Sequence, residues 1–554
     1  MKRSLGTLAL LASLALHARA STQPGPASIP HLEKRGAATQ LIVGGRPFLV
    51  LGGELHNSSS SSLEFMRPVW PRMAALHLNT VVLPVAWETI EPAEGRFDFT
   101  VVDGLLEGAR GSGLKLVVLW FGAWKNTFSS YAPAWVKRNE ERFPRVETSD
   151  GRGTERLSPF SVGVREADAR AFAALMRHLR EADGQSQTVL LVQVENEIGV
   201  VGQSRDHSRA AEAAFEGAVP AELTAYLARH RTGLDPDLRA AWEAAGGRTE
   251  GTWREVFGGG PLTDDLFMAW NYATYVQAVA AAGKAEYPLP MYTNAALVRP
   301  NYEPGQYNSG GPLPHSIDLY RAGAPALDFL SPDIYFNEFA YWAGKYTRPD
   351  NPLFIPEAQG GATGAANALY AFGRLSAVGF SAFGIDDEGN TPLDLVGITN
   401  PAARPDNRAL GHAYGVLSAL APLLAEKQES GGLAAAVLEG EAQRAGRVGV
   451  GAYTATLTRM GEGGARVGAL FIQTGADEFL VVGSGEAQVT FSTDRPGPPV
   501  VGIESSDEER LENGKFVTWR RLNGDENSQG QALKLHAGDL AAGTIYRVRL
   551  YRYR

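Results

Sequence analysis

Along residues 48–385 the chain repeats one pattern: a short apolar run, a turn, then a longer stretch with apolar positions at helical spacing. The runs fall at residues 48–54, 80–85, 114–120, 189–194, 289–293, 327–335, 353–357 and 379–385. Several are apolar at almost every position, the mark of a strand covered on both faces, as in parallel sheets. Stretches such as 164–180 and 266–282 supply the intervening helices. Eight such units are what a closed (β/α)8 TIM barrel requires, and that α/β fold is predicted for residues 40–420. An open doubly wound sheet is the alternative, but no Gly-x-Gly-x-x-Gly follows the first run. Residues 41–43 and 48–51 flank Gly44-Gly45 and read as a hairpin ahead of the barrel. The Ala-, Glu- and Arg-rich stretch at about 202–260 exceeds one crossover helix and reads as a helical insertion. Beyond residue 420, Gly-rich turns alternate with short runs at 448–450, 468–472, 479–482 and 546–550. Closely spaced strands without helices predict a C-terminal all-β, sandwich-like domain over residues 421–554.

Two runs end on acids. Val189, Leu190, Leu191 and Val192 lead through Gln193 and Val194 to Glu195-Asn196-Glu197, and Leu353-Phe354-Ile355-Pro356 leads to Glu357. The C-terminal ends of barrel strands are where such folds carry out chemistry. Paired carboxylates there match glycoside hydrolysis, one acting as acid and one as nucleophile at about 5–5.5 Å in retaining enzymes. Glu195 and Glu197 lie two apart on a strand and are expected to share a face, with Glu197 exposed at the mouth and Glu195 in the wall. Asn196 can both donate to and accept from a sugar hydroxyl. Asn126, Asn294 and Asn337 stand near other strand ends and suit hydroxyl recognition or turn capping. Trp87, Trp124 and Trp342 are candidate sugar platforms or core residues. His56 follows the first run and suits either a sugar hydroxyl or a buried, satisfied role.

These residues carry a resemblance. Gln193-Val194-Glu195-Asn196-Glu197-Ile198-Gly199 resembles the acid/base signature of family 35 glycoside hydrolases, the β-galactosidases with a (β/α)8 catalytic domain. Gly52-Gly53-Glu54-Leu55-His56 and the stretch from Trp87 to Phe99 are similar to that family's elements after strands one and two. Leu119-Trp120-Phe121-Gly122-Ala123-Trp124-Lys125-Asn126 resembles a bacterial subgroup with a C-terminal β domain. The resemblance implies Glu197 as acid/base, Glu357 as nucleophile, Asn196 at the sugar 2-hydroxyl and Tyr335 hydrogen-bonded to the nucleophile. His56, Asn126, Trp124 and Asn294 join them as candidate substrate-binding residues. The family's usual acid after strand three is absent, its place taken by the stretch ending in Lys125-Asn126, and Pro84 stands near where a strand-two tyrosine is usual. The implied activity is a retaining exo-β-glycosidase acting on terminal β-D-galactosyl residues, with burial and neighbouring charge holding Glu197 protonated as the acid. The rival readings are a β-glucosidase, β-mannosidase or α-L-arabinosidase, or a non-catalytic carbohydrate-binding barrel.

Composition narrows the field. A net charge of −9 offers no basic excess for nucleic acid. Absent cysteine excludes disulfides, thiolate nucleophiles and cysteine metal ligands. The ten histidines form no His-Glu-x-x-His, so neither a metal nor another cofactor is expected. Lys2-Arg3, an apolar stretch from Leu5 to Leu16, and Ala18-Arg19-Ala20 read as an export signal over residues 1–20, with a leader at 21–39. No later run is long enough to span a membrane. The expected partner is a carbohydrate, and the expected location periplasmic or extracellular.

Overall fold

The computed structural model describes residues 29–298, 301–386 and 406–554, residues 462 and 513 excepted. The expected export signal lies outside the described residues. Part of the expected leader does not: His31–Arg35 and Ala38–Val43 pair antiparallel, and Ala38–Val43 pairs onward with Arg46–Phe48. Gly44 and Gly45 make the second turn at φ 57° and 77°, a conformation for which glycine carries no steric cost. Leu41 of this sheet packs with Val50, Val82, Val117, Tyr292, Phe329 and Phe354, so the hairpin belongs to the folded core.

The barrel strands are Val50–Glu54, Thr80–Ala86, Lys115–Lys125, Val189–Asn196, Met291–Ala296, Phe329–Ile334, the split pair Phe354–Ile355 and Glu357–Ala358, and Gly379–Phe383. They run parallel in that order, the last pairing with the first. The split seventh strand closes the ring: Phe354–Ile355 pairs with strand eight, and Glu357–Ala358 pairs with strand six. Pro356 sits at the changeover, where its missing N–H removes no bond from either ladder. The nucleophile candidate therefore stands one residue past a fixed switch in strand pairing.

Helices cover the barrel, the longest being Pro261–Glu286 packed on Val162–Asp183. Between strands four and five lie Arg209–Phe215, Ala221–His230, Pro236–Ala244 and Trp253–Phe257, helices additional to the crossover. Each buries an apolar side, including Phe215, Leu223, Leu227, Trp242 and Trp253. The helix Arg408–Ser430 runs through residue 420, so the change to all-β structure comes after Gly431. Two antiparallel sheets follow, one of six strands from Leu433–Leu438 to Lys515–Leu522 and one of four strands containing Ala445–Val450. Phe471, Phe479, Val481, Val489 and Tyr546 pack together in the core between them. Gly468 lets this domain approach the barrel closely, since a Cβ there would stand 2.9 Å from the Ala366 backbone. Among the described residues no helix is long and apolar enough to cross a membrane.

Candidate active site

The ends of strands three, four, six, seven and one converge on a cluster of buried charge. Glu197, Asp333 and Glu357 each place a carboxylate oxygen within 4.8 Å of the others. Lys125 Nζ stands 3.6 Å from Glu197 Oε2, and Glu54 meets Glu357. All five side chains are buried. The three clustered carboxylates are spaced as a cation site would be, but the Lys125 ammonium already supplies positive charge there, and the cluster is read as reaction machinery.

Strand-four geometry divides its two glutamates. Glu195 and Glu197 both have left-handed backbone, φ 61° and 45°, which breaks the pleat and cancels the expectation that they share a face. Glu195 turns outward into the wall. It accepts hydrogen bonds from Ala123 N (3.2 Å) and Trp124 N (2.8 Å) and shares a proton with Asp168. Asp168 in turn accepts from Trp120 Nε1 and Tyr275 Oη, both at 2.8 Å. The donors come from an irregular stretch of strand three, whose pairing skips from Trp120–Val194 to Lys125–Asn196. Gly122 leaves room for this wrap: a Cβ there would stand 2.4 Å from Glu195 Oε1. Burial, then Asp168's charge, pushes Glu195 well above the usual carboxylate range.

Glu197 faces the cluster. Its amide donates to Asn294 Oδ1 (2.9 Å), while Asn294 Nδ2 donates to Asp333 Oδ2 (2.6 Å). Its carbonyl accepts from Asn308 Nδ2 (2.9 Å). Asn196 is fully buried, and neither atom of its amide meets a partner among the described residues. Glu357 accepts a hydrogen bond from the Tyr335 hydroxyl. Burial and the Glu197 charge push Glu357 up to about 7, with Lys125 and Tyr335 opposing. Burial and then Glu357's charge push Glu54 well above the usual carboxylate range, which favours its protonated form. Asp333 is raised in the same way and for the same causes.

The remaining sequence candidates separate. Trp124 is fully buried, donates to Leu157 O (3.0 Å) and packs on Tyr272 and Tyr275; it is wall, not platform. Trp87 is likewise core, bonded to Glu91. Trp342 is half-buried against Phe336, and Asn337 is exposed. Asn294 spends both amide ends on protein, making it a brace rather than a free sugar ligand. Asn126 is exposed at φ 51°, a turn residue whose amide donates to Asn196 O. His56 is half-buried beside Phe383, its amide bonded to Asp386 at 3.0 Å. Glu54 and Lys125 lie inside the motifs named above, and Asp333 inside the run at 327–335, none with a role legible there. The signal available for each was a charged residue at the end of an apolar strand.

Comparison with known proteins adds an independent line. A glycoside hydrolase family 42 model, described as β-galactosidase, matches residues 63–257, and a domain of unknown function (DUF5597) matches residues 410–534. The family 35 assignment is thus not supported; the matching model is that of family 42. A β-galactosidase from Xanthomonas manihotis is 29% identical over 231 residues, which are 38% of this chain and 33% of that protein. The chain's match therefore spans about a third of that relative's length. Solved structures of similar outline include a cold-adapted β-galactosidase from Rahnella sp. R3 (19% identity, TM-score 0.44, 68% of this chain and 56% of that one). Another is the catalytic domain of a Paenibacillus polymyxa β-amylase (13% identity, TM-score 0.43, 66% and 97%). The stretch from residue 63 to residue 257, which contributes Lys125, Asn196 and Glu197 to the site, is thus similar in sequence to β-galactosidases of the glycoside hydrolases.

Proposed function

We propose that the protein is a retaining exo-β-glycosidase that removes terminal non-reducing β-D-galactosyl residues by double displacement. The observation that carries this is the pair Glu197 and Glu357, whose nearest oxygens lie within 4.8 Å, near the separation of retaining enzymes. Glu357, oriented by the Tyr335 hydroxyl, attacks the anomeric carbon. Glu197 gives its proton to the leaving oxygen, then takes one from the water that releases the sugar. Asn196 supplies a buried amide that meets no partner among the described residues, and such an amide is costly unless a glycone hydroxyl fills it. Similarity to β-galactosidases over residues 63–257 supports galactose as the glycone. An exported location, argued from the basic, apolar and small-residue order of residues 1–20, belongs to the same proposal.

Glu357→Gln is expected to lower turnover of nitrophenyl β-galactoside by roughly a thousand-fold or more. Glu197→Ala should lose activity chiefly on poor leaving groups and regain it with azide, giving the β-galactosyl azide. Full activity in either variant contradicts the proposal. A panel of nitrophenyl glycosides tests the glycone: preference for glucoside, mannoside or arabinoside overturns the galactose reading while leaving the mechanism.

A further inference from the structure

The double displacement leaves Lys125, the ammonium of the cluster, without a task. Lys125 is 8% exposed, at the end of strand three. Its ammonium lies 3.6 Å from Glu197 Oε2 and 5.5 Å from the Phe121 ring centroid. Acids face it from four other strands: Glu54 on strand one, Glu197 after strand four, Asp333 on strand six and Glu357 on strand seven. Burial works against its charge, yet these carboxylates outweigh burial and keep it protonated. An ammonium is expensive to bury without a constant partner, and among the described residues its ion pair is with Glu197.

We propose that Lys125 is a positioning residue, the counter-ion of the carboxylate that Glu197 becomes once it has given up its proton. This rests on the glycosidase reading above. The reaction demands two states of Glu197: a carboxylic acid while the aglycone leaves, and a carboxylate while water attacks the glycosyl-enzyme. Asp333 and Glu357 place carboxyl oxygens within 4.8 Å of Glu197, and either of them, when ionised, opposes a further negative charge there. The ammonium offsets them. It stabilises the anion that develops as the proton reaches the leaving oxygen, and it keeps the base ionised for the second step. The lysine therefore biases this site toward fast release of the sugar.

The test compares wild type, Lys125→Met and Lys125→Arg, first confirmed as folded by their circular dichroism. Glutamate labelled with 13C at Cδ, assigned through Glu197→Gln, gives the Glu197 titration midpoint without needing turnover. The midpoint is expected to rise by about one to two pH units in Lys125→Met and to stay near wild type in Lys125→Arg. An unmoved midpoint in Lys125→Met overturns the proposal. With dinitrophenyl β-galactoside, where departure needs little acid help, Lys125→Met should keep kcat/KM within about three-fold. Its kcat, limited by water attack, should fall about ten-fold or more at neutral pH and recover as pH rises. A raised KM with unchanged kcat at every pH would instead assign the ammonium to the sugar and also overturn the proposal. Absence of hydrolysis by wild type overturns the glycosidase reading alone, since the carboxyl titration still decides the role of Lys125.

Discussion

Tyr335 and Glu357 show how single groups set the chemistry. Glu357 must be ionised to attack, but burial and Glu197 raise it to about 7, with the Tyr335 hydroxyl and Lys125 pulling it down. A protonated nucleophile is inactive, so kcat/KM should decline as pH falls below about 7, reported as a property of the coupled pair. Tyr335→Phe removes one of the opposing influences. The variant should lose about 10- to 100-fold in kcat/KM, with its acid limb displaced to higher pH. A pH profile of each enzyme checks this, and an unchanged acid limb would mean that the hydroxyl does not tune Glu357. At this scale the sequence was legible where a carboxylate ends an apolar run, as Glu197 and Glu357 do. It was not legible where the deciding fact is what a side chain's partners leave over. Asn294 and Asn196 are the same residue type at neighbouring strand ends, yet one amide is spent on protein and the other meets no partner among the described residues.

At the scale of elements, the irregular end of strand three and the left-handed turns of strand four form one device. Residues 121–124 arch over Glu195 and give it two backbone N–H bonds, the helix Val162–Asp183 brings Asp168 beside it, and Glu197 points inward. Glu195→Ala would leave the two buried N–H groups of Ala123 and Trp124 without their carboxyl acceptor, while Asp168 would keep its bonds from Trp120 and Tyr275. The expected cost is about 3–5 kcal/mol, read as a lower melting temperature, while Glu195→Gln keeps an acceptor and should cost less. Equal stability of Glu195→Ala and wild type would contradict this account of the wall. The eight strands were legible because fully buried strands leave continuous apolar runs. Their ends were less so: strand three continues to Lys125 and strand four to Asn196, because polar residues extend these ladders toward the site. The pleat argument for Glu195 and Glu197 failed for the same local reason, a positive φ at each.

At the scale of the whole molecule, the β domain supports the mouth of the barrel. Arg466 donates to Asn367 Oδ1 and to Asn337 O, both at 2.7 Å, reaching the loop that follows Tyr335. Sequence pattern foretold an all-β domain but not this contact, since nothing local to Arg466 marks its long-range partners. The acidic cluster also bears on global stability. A carboxyl raised in the folded state contributes fully below its unfolded value and loses that contribution as pH rises through its folded value. For Glu357 the window runs from about 4.5 to about 7. Glu357→Gln should therefore melt higher than wild type at pH ~8, by on the order of 3 kcal/mol at most, and the gain should shrink toward pH ~5. A gain independent of pH would show that the nucleophile carries no such cost.

The central claim, that Glu357 forms a glycosyl-enzyme while Glu197 shuttles the proton, is tested most directly by trapping. Incubation with 2-deoxy-2-fluoro-β-galactosyl dinitrophenolate, followed by proteolysis and peptide mass spectrometry, should locate one fluorogalactosyl group on Glu357. A label on any other residue, or hydrolysis of β-galactosides with inversion and no label, would contradict the account.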